Sequence, residues 1–290
     1  MLGRVDKGIA GRFTVRARDG GEVFDCAAKG KLKIDGDIYV GDIVEFDARQ
    51  RIVIRVLKRK NFLTRPYVAN VDFAVIVLSP VPEPDFCLAD KILIDAVMAN
   101  IEPVICVNKC DIDGDGEGLR RRVAQNYGDV ARIIYTSAIT GDISQFLNVA
   151  KDKTVCLAGQ SAVGKTSILN ALLDGRAGKV GDISHKSQRG KHTTRHSEIF
   201  AVGGGLVVDT SGFSELNIPQ IEPSKLKDYY ADFTEYAEVC KYRGCIHVSE
   251  SRDECAVKRA AEDGELCAER YSRYVELYKQ SEQAWKKRYN

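Results

Sequence analysis

The feature that most constrains the fold of this chain is a glycine-rich loop between an apolar strand and a helix. Residues 155–158 predict a short buried strand, and residues 167–173 carry apolar side chains at helical spacing. The loop has the pattern G-x-x-x-x-G-K-T and consists of Gly159, Gln160, Ser161, Ala162, Val163, Gly164, Lys165 and Thr166, with Ser167 next. A strand, this loop and a helix in that order predict a phosphate-binding site in an α/β sheet.

Each part of this loop has a physical task. Gly159 and Gly164 let backbone N–H groups approach a β-phosphate, and the helix N-terminus adds its positive end. Lys165 is predicted to bridge the β- and γ-phosphates, and the Thr166 hydroxyl is predicted to ligate Mg²⁺. The alternative, a glycine-rich turn without function, is disfavoured by the flanking strand and helix.

A second motif, formed by Asn108, Lys109, Cys110 and Asp111, follows an apolar strand at residues 103–107. It therefore lies at the carboxyl end of a strand, where ligands of open α/β sheets bind. The Asp111 carboxylate can accept two hydrogen bonds from guanine, whereas adenine offers no matching donor pair. The motif favours GTP over ATP, with Asn108 tying it to the phosphate loop and Lys109 covering the base. A solvated turn is the alternative.

Two weaker motifs extend this pattern. Ser137 and Ala138 follow an apolar strand at residues 130–135, and they resemble a loop whose backbone N–H contacts guanine O6. Asp209 and Gly212 begin and end a D-x-x-G stretch that follows a third apolar strand. Asp209 can hold Mg²⁺ through water, and the Gly212 N–H can sense a γ-phosphate.

The order of these motifs is rotated, because the N-K-x-D motif precedes the phosphate loop and the D-x-x-G motif follows it. With G-K-H-T-T between the last two, the chain resembles the circularly permuted GTPases. More narrowly, it resembles the ribosome small-subunit-dependent GTPase family (RsgA or YjeQ) from about residue 5 to residue 275. The resemblance implies an OB-fold β-barrel at residues 1–65, a circularly permuted P-loop GTPase domain at 66–220 and a zinc-binding, mostly helical domain at 221–290.

The same resemblance implies a function. It predicts a GTP hydrolase that is stimulated by the small ribosomal subunit, acts in assembly or maturation of that subunit, and binds its rRNA. A second hypothesis is an RNA-binding adaptor that holds GTP as a structural ligand, and accelerated turnover on the ribosome would separate the two. A third, a P-loop kinase, is disfavoured by Asn108 and Asp111.

The polar segment at residues 176–197 has the composition of a mobile switch loop. Thr193 or Thr194 could supply a second hydroxyl to Mg²⁺, and the sequence does not choose between them.

Phe213 stands where small GTPases carry a water-orienting Gln, so slow intrinsic turnover is expected. Either another group orients the water, with His192 as first candidate, or the ribosome completes the site.

A cysteine cluster near the C-terminus predicts a metal site formed by Cys240, Cys245, His247 and Cys255. Sets of three Cys and one His bind tetrahedral Zn²⁺, and one structural zinc per chain is expected. A disulfide competes poorly because the remaining cysteines are scattered. The family usually has a shorter loop with Glu-Pro before the last cysteine, whereas residues 248–254 lack proline. Cys255 is therefore the least secure ligand, with Cys267 the nearby substitute.

The basic charge is concentrated in the N-terminal part. Residues 1–65 contain 15 Lys+Arg and 9 Asp+Glu, a net +6, although the whole chain carries only +2. Short strands are predicted at residues 11–18, 22–26, 31–34, 42–46 and 51–57, as in a five-stranded OB barrel. The side chains predicted to meet phosphates are Arg12, Arg16, Arg18, Lys29, Lys31 and Lys33. A solvated basic surface or a protein-binding barrel is the alternative, and the resemblance favours rRNA.

The C-terminal stretch from Cys255 to Asn290 predicts helix with one interruption at Gly264. An apolar stripe in it is predicted to pack on the GTPase domain and consists of Tyr271, Tyr274, Leu277 and Tyr278. The chain contains no apolar run long enough for a membrane span. We expect a cytoplasmic protein that has no membrane partner, and we expect it to be a monomer.

Overall fold

The N-terminal strands form a closed barrel. The computed structural model describes residues 1–29, 37–64, 66–112, 116–174, 197–210 and 216–287. The barrel strands are β1 (Leu2–Ile9), β2 (Arg12–Ala17), β3 (Val23–Ala28), β4 (Ile43–Asp47) and β5 (Ile52–Val56). They pair in the order β1-β2-β3-β5-β4, and β1 also pairs with β4, which closes the barrel. The predicted OB-type barrel is therefore confirmed.

The strand boundaries in the barrel need one correction. We expected the first strand at residue 11, but β1 already begins at Leu2. Its register shifts between Val5 and Lys7, and the intervening Asp6 is buried between Arg4 and Arg16. This irregularity breaks the alternation of polar and apolar residues by which a strand is recognised. The strand predicted at residues 31–34 lies outside the described residues.

A mostly parallel sheet forms the centre of the molecule. Its strands are β8 (Phe73–Leu78), β9 (Glu102–Val107), β10 (Arg132–Tyr135), β11 (Thr154–Ala158), β12 (Glu198–Val202) and β13 (Gly205–Asp209). They are arranged β10-β9-β8-β11-β13-β12, and among these only β12 runs antiparallel to its neighbour. Near-continuous apolar strands of this kind are buried on both faces. The carboxyl ends of β8, β9, β10, β11 and β13 consequently meet at one edge.

Helices cover both faces of this sheet. They are α1 (Phe86–Met98), α2 (Gly116–Tyr127), α3 (Ser144–Ala150) and α4 (Lys165–Asp174). Side chains of α1 and α2 share one buried cluster, and those of α3 and α4 share the cluster on the opposite face. A hairpin of β6 (Phe62–Thr64) and β7 (Tyr67–Ala69) lies between barrel and sheet in the chain. The barrel also meets the sheet where Lys7 of β1 pairs with Glu198 of β12.

The C-terminal part, called here the C-terminal module (residues 221–287), is mostly helical. It contains 3₁₀ turns at Pro223–Tyr229 and Ala231–Phe233, then α5 (Thr234–Ala237), α6 (Ala256–Asp263) and α7 (Ala268–Lys286). Gly264, at φ +80°, ends α6 in the left-handed conformation that suits glycine. None of the helices in the described ranges is long and apolar enough to cross a membrane.

The aromatic stripe of α7 packs differently from our expectation. Tyr274, Leu277 and Tyr278 are buried in a cluster formed mainly by the C-terminal module itself, including Tyr230 and Phe233. Among the described residues outside the module, the cluster includes Ile94 and the partly buried Cys87 and Ile218. The predicted packing on the GTPase domain was therefore wrong for most of the stripe, because the 3₁₀ turns and α6 supply the larger apolar surface.

Candidate nucleotide site and metal centre

The phosphate loop lies between the end of β11 and the start of α4, as its sequence predicts. Gly159 has φ +124°, and a Cβ there would lie 2.5 Å from the carbonyl oxygen of Val77. Gly164 has φ +98°, and a Cβ there would collide with Nδ2 of Asn108. Both positions therefore require glycine, because any side chain would be strained and obstructed.

Lys165 is folded back onto its own loop. Its Nζ donates to the carbonyl oxygens of Gly159 at 2.7 Å and Gln160 at 2.6 Å. Burial lowers the pKa of Lys165, and the negative charge of Asp209 opposes this shift. An ammonium that is bonded to carbonyl oxygens of the phosphate loop is placed to exchange them for phosphate oxygens.

The residues expected around a metal-bound phosphate lie beside this loop. Thr166 and Ser167 are exposed in the first turn of α4, and Asp209 ends the strand β13. Because β11 and β13 are adjacent and parallel, with Cys156 opposite Val208, Asp209 emerges next to the start of the phosphate loop. His192, Thr193, Thr194 and Gly212 lie outside the described residues.

Asn108 joins the second motif to the phosphate loop. Its Nδ2 donates to the carbonyl oxygen of Val163 at 2.9 Å, and its Oδ1 accepts from the Thr136 hydroxyl at 3.1 Å. Lys109, at φ +60°, extends along the same loop and donates from Nζ to the carbonyl oxygens of Ala162 at 2.8 Å and Val81 at 2.5 Å. The two motifs are thus hydrogen-bonded to each other and lie side by side, although Asn108 and Val163 are 55 positions apart in the sequence.

Asp111 lies beside the motif formed by Ser137 and Ala138. The Ser137 hydroxyl donates to Oδ1 of Asp111 at 2.5 Å, while the Cys110 N–H donates to the carbonyl oxygen of Thr136 at 3.2 Å. The Ser137 N–H is itself bonded to the carbonyl oxygen of Asp142, and the half-buried Ala138 follows it. The carboxylate that is predicted to select guanine is therefore oriented by a neighbouring hydroxyl.

Sequence reasoning missed the loop at residues 79–85, which connects β8 to α1. The Asp85 N–H donates to Oε1 of Gln160 at 3.1 Å, and the carbonyl oxygen of Val81 accepts from Lys109. The proline-rich sequence of this loop follows a buried strand, so its place at the carboxyl edge could have been inferred. No sequence motif marks the contacts that this loop makes.

The cysteine cluster brings four possible metal ligands together. The ligand atoms of Cys240, Cys245, His247 and Cys255 all lie within 4.8 Å of one another. Nδ1 of His247 is 3.4 Å from Sγ of Cys255 and 3.7 Å from Sγ of Cys240. A tetrahedral Zn²⁺ with ordinary bond lengths holds nitrogen and sulfur ligands about 3.6 Å apart. The donor set and its spacing therefore fit a zinc ion.

The longer loop before Cys255 is organised by Glu250. Its carboxylate accepts from the backbone N–H of Ile246 at 2.8 Å and of Val248 at 3.1 Å. These bonds hold the turn on both sides of His247, whose φ of +59° is left-handed. The departure from the family spacing thus leaves Cys255 within the cluster. Cys267, at the N-terminus of α7, is not among the four grouped residues.

Protonation in this cluster suits metal binding. Burial and the nearby Lys227 lower the pKa of His247 to about 4, so its imidazole is neutral near pH 7 and can act as a ligand. Burial raises the pKa of the Cys245 and Cys255 thiols. A divalent cation would have to replace the thiol protons, and its binding would therefore strengthen with rising pH.

The fold and the nucleotide site together define a class, the circularly permuted P-loop GTPases. A phosphate loop at the carboxyl edge of a parallel sheet is linked by Asn108 to a guanine-type motif that precedes it in the chain. Residues 56–219 match the model of the RsgA GTPase family. The chain belongs to this family, as the sequence resemblance predicted.

Similar proteins agree with this assignment over nearly the whole chain. A protein of Geobacillus sp. (strain WCH70), named small ribosomal subunit biogenesis GTPase RsgA, is 40% identical over 284 residues, with 94% of each chain covered. One of Bacillus subtilis (strain 168) with the same name is 38% identical, with 95% of each covered. The crystal structure of YjeQ from Thermotoga maritima superposes with a TM-score of 0.80 at 35% identity and covers 97% of this chain and 98% of that one. The structure of YloQ, described as a circularly permuted GTPase, gives 0.77 at 33% identity, with 98% and 95% covered.

Proposed function

We propose that this protein hydrolyses GTP during biogenesis of the small ribosomal subunit, and that the subunit stimulates its turnover. The observation that carries the proposal is the bond from Asn108 to Val163, which joins a guanine-selective motif to a phosphate loop. The names of the relatives at about 40% identity support the ribosomal role.

In this proposal the site residues have separate tasks. Asp111, held by Ser137, accepts the two hydrogen bonds of guanine, and Lys109 lies along the base. The backbone N–H groups of the loop and Lys165 bind the phosphates. Mg²⁺ that arrives with GTP would be ligated by Thr166 and, through water, by Asp209, where it would neutralise charge on the β- and γ-phosphates.

Zinc is proposed as a structural ion of the C-terminal module. The ion would be held by Cys240, Cys245, His247 and Cys255. It would cross-link a segment that contains few apolar residues to stabilise it. We keep the domain limits at residues 65 and 220 as predictions. The cytoplasmic location and the monomeric state also stay predictions.

Binding of rRNA is proposed for the barrel, with a smaller basic set than the sequence indicated. Arg12 and Arg16 are ion-paired with Asp25 and Asp6, which reduces their charge toward a phosphate. Arg18 and Lys29 are exposed. Lys31 and Lys33 lie outside the described residues. Loss of affinity with rising salt would measure how many phosphates this surface contacts.

The experiment that tests the proposed function is GTP turnover by the protein alone and with purified small subunits. Large subunits and ATP are the controls. Stimulation by small subunits with GTP only is the expected result. Tight GTP binding without stimulation would contradict the proposal and favour an RNA-binding adaptor. In the same assay, His192→Ala should remove most of the stimulated turnover if His192 orients the attacking water, and unchanged stimulation would exclude it.

A further inference from the structure

The helix α1 is buried on two sides. One stripe packs on the central sheet and contains Leu88, Ala89, Ile92, Leu93 and Ala96. A second stripe, formed by Cys87, Asp90 and Ile94, faces the C-terminal module. A helix held between two bodies can transmit a displacement of either one, because packed interiors have low compressibility.

The contact with the C-terminal module is centred on Asp90. This carboxylate is 1% exposed and accepts from Nη1 of Arg270 at 2.6 Å and from Nε of Arg273 at 2.5 Å. The Tyr127 hydroxyl adds a third bond at 3.0 Å. Arg270, also 1% exposed, donates from Nε to Asp232 at 3.0 Å. Buried charges tolerate few alternative arrangements, so this network specifies how α7 sits on α1.

The N-terminus of the same helix contacts the phosphate loop. Asp85 caps α1 by accepting the Leu88 N–H at 2.8 Å, and its own N–H donates to Oε1 of Gln160 at 3.1 Å. Asp90 follows the N-cap Asp85 by five positions, a rise of about 7.5 Å along the helix. Two specific contacts, one to the nucleotide site and one to the C-terminal module, thus lie within two turns of one helix.

We propose that α1 couples nucleotide binding to the docking of the C-terminal module, with Gln160 and Asp90 as positioning residues at its two contacts. The inference rests on the proposed function in so far as a guanine nucleotide binds the phosphate loop. Thermodynamic linkage makes the coupling reciprocal. Docking of α7 strengthens nucleotide affinity, and a bound nucleotide protects α7 against opening. This route is separate from the covalent connection that leads from Asp209 into the module.

The first arm of the test is a double-mutant cycle in the full-length protein, with a fluorescent GDP analogue as the probe. Gln160→Met removes the acceptor at similar length, and Arg273→Met removes one of the three donors to Asp90 while Arg270 remains. Each variant should weaken GDP binding about fivefold, the contribution of one hydrogen bond. The double variant should bind GDP no more weakly than the single variant with the lower GDP affinity, because both substitutions act through the same helix.

The matched control is Arg252→Met. Arg252 is an exposed arginine of the same module, and it pairs with Glu262 and Asp263 of α6. The GDP affinity of the Arg252→Met variant should stay within about twofold of the wild-type value. Independent, multiplicative losses in the double variant would overturn the proposal, and so would unchanged binding by Arg273→Met. Arg273→Lys, which keeps the charge, should recover part of the affinity.

The second arm is hydrogen exchange of the α7 amides with and without GDP. GDP should slow exchange at residues 268–286 in the wild type and in Arg252→Met, but not in Gln160→Met at saturating GDP. A purely structural role for Gln160 would leave the GDP-dependent protection of α7 in place and would refute the coupling. Failure of the wild type to bind GDP would instead refute the proposed function, so the two failures are distinguishable.

Discussion

The link between the two halves of the nucleotide site can be tested with Asn108→Ala. Asn108 is 1% exposed and bridges two groups that are far apart in the chain, the carbonyl oxygen of Val163 and the hydroxyl of Thr136. Its Nδ2 also lies against Gly164. Alanine removes both hydrogen bonds and leaves a void beside the phosphate loop.

The expected loss follows from the two partners. The buried carbonyl of Val163 would lose its bond to this side chain, at a cost of about 1–3 kcal/mol. The Thr136 hydroxyl loses less, because Sγ of Cys106 lies 3.3 Å away and remains as a partner. We therefore expect the free energy of unfolding to fall by about 2–3 kcal/mol. If about 2 kcal/mol of this is lost from the nucleotide-binding conformation, the Kd for GDP rises about 30-fold.

Guanidinium unfolding and GDP titration measure the two quantities. Asn148→Ala is the matched control, because Asn148 is exposed on α3, where alanine favours helix. That variant should stay within about 0.5 kcal/mol of the wild type and bind GDP normally. The reasoning would be refuted if Asn108→Ala matched this control in both stability and GDP affinity.

Three further predictions concern guanine selection, the metal centre and the barrel. Asp111→Asn should weaken GDP binding about 100-fold and improve binding of xanthosine diphosphate, because an amide donates where the carboxylate accepted; competition titrations measure both, and unchanged preference would contradict the assigned role. Cys255→Ser should lower the zinc content of the purified protein, whereas Cys267→Ser should not, as metal analysis would show; equal contents would exclude Cys255 as a ligand. Arg59→Met should destabilise the barrel by about 3 kcal/mol, since it removes the ion-pair partner of the fully buried Asp42 and leaves that carboxylate with its bond from the Tyr39 N–H, whereas Arg55→Met, at an exposed pair with Glu45, should change stability by less than about 0.5 kcal/mol. Equal midpoints of thermal unfolding for these last two variants would contradict the reasoning.

Much of the nucleotide site could be predicted because its residues follow apolar strands directly. The strand predicted at residues 155–158 is Thr154–Ala158, and the strand predicted at 103–107 is Glu102–Val107. Once parallel strands are recognised, their carboxyl ends must meet at one edge, so motifs that are distant in sequence converge. The family resemblance and the fold class are confirmed, whereas the individual roles of the site residues stay predictions.

The remaining features depend on contacts that no local pattern encodes. Asp90 and Arg270 are separated by 180 residues, and each reads in the sequence as an ordinary charged helical residue. The bond from Asp85 to Gln160 uses a backbone donor, so no residue type marks it. The strand β1 was missed because its buried Asp6 interrupts the alternation. In each case tertiary packing decides the role of a residue that local propensity leaves open.

The rotated order gives the C-terminal module two connections to the nucleotide site. In the chain, Asp209 at the end of β13 is followed by the segment that leads to Leu216, which is buried against the central sheet, and then to the module. In space, α7 of that module returns to α1 through Asp90, and α1 contacts the phosphate loop through Gln160. The phosphate loop and Asp209 lie side by side, so these elements form a closed ring. In the coupling proposed above, a bound nucleotide would therefore act on the module both at Asp209 and through α1.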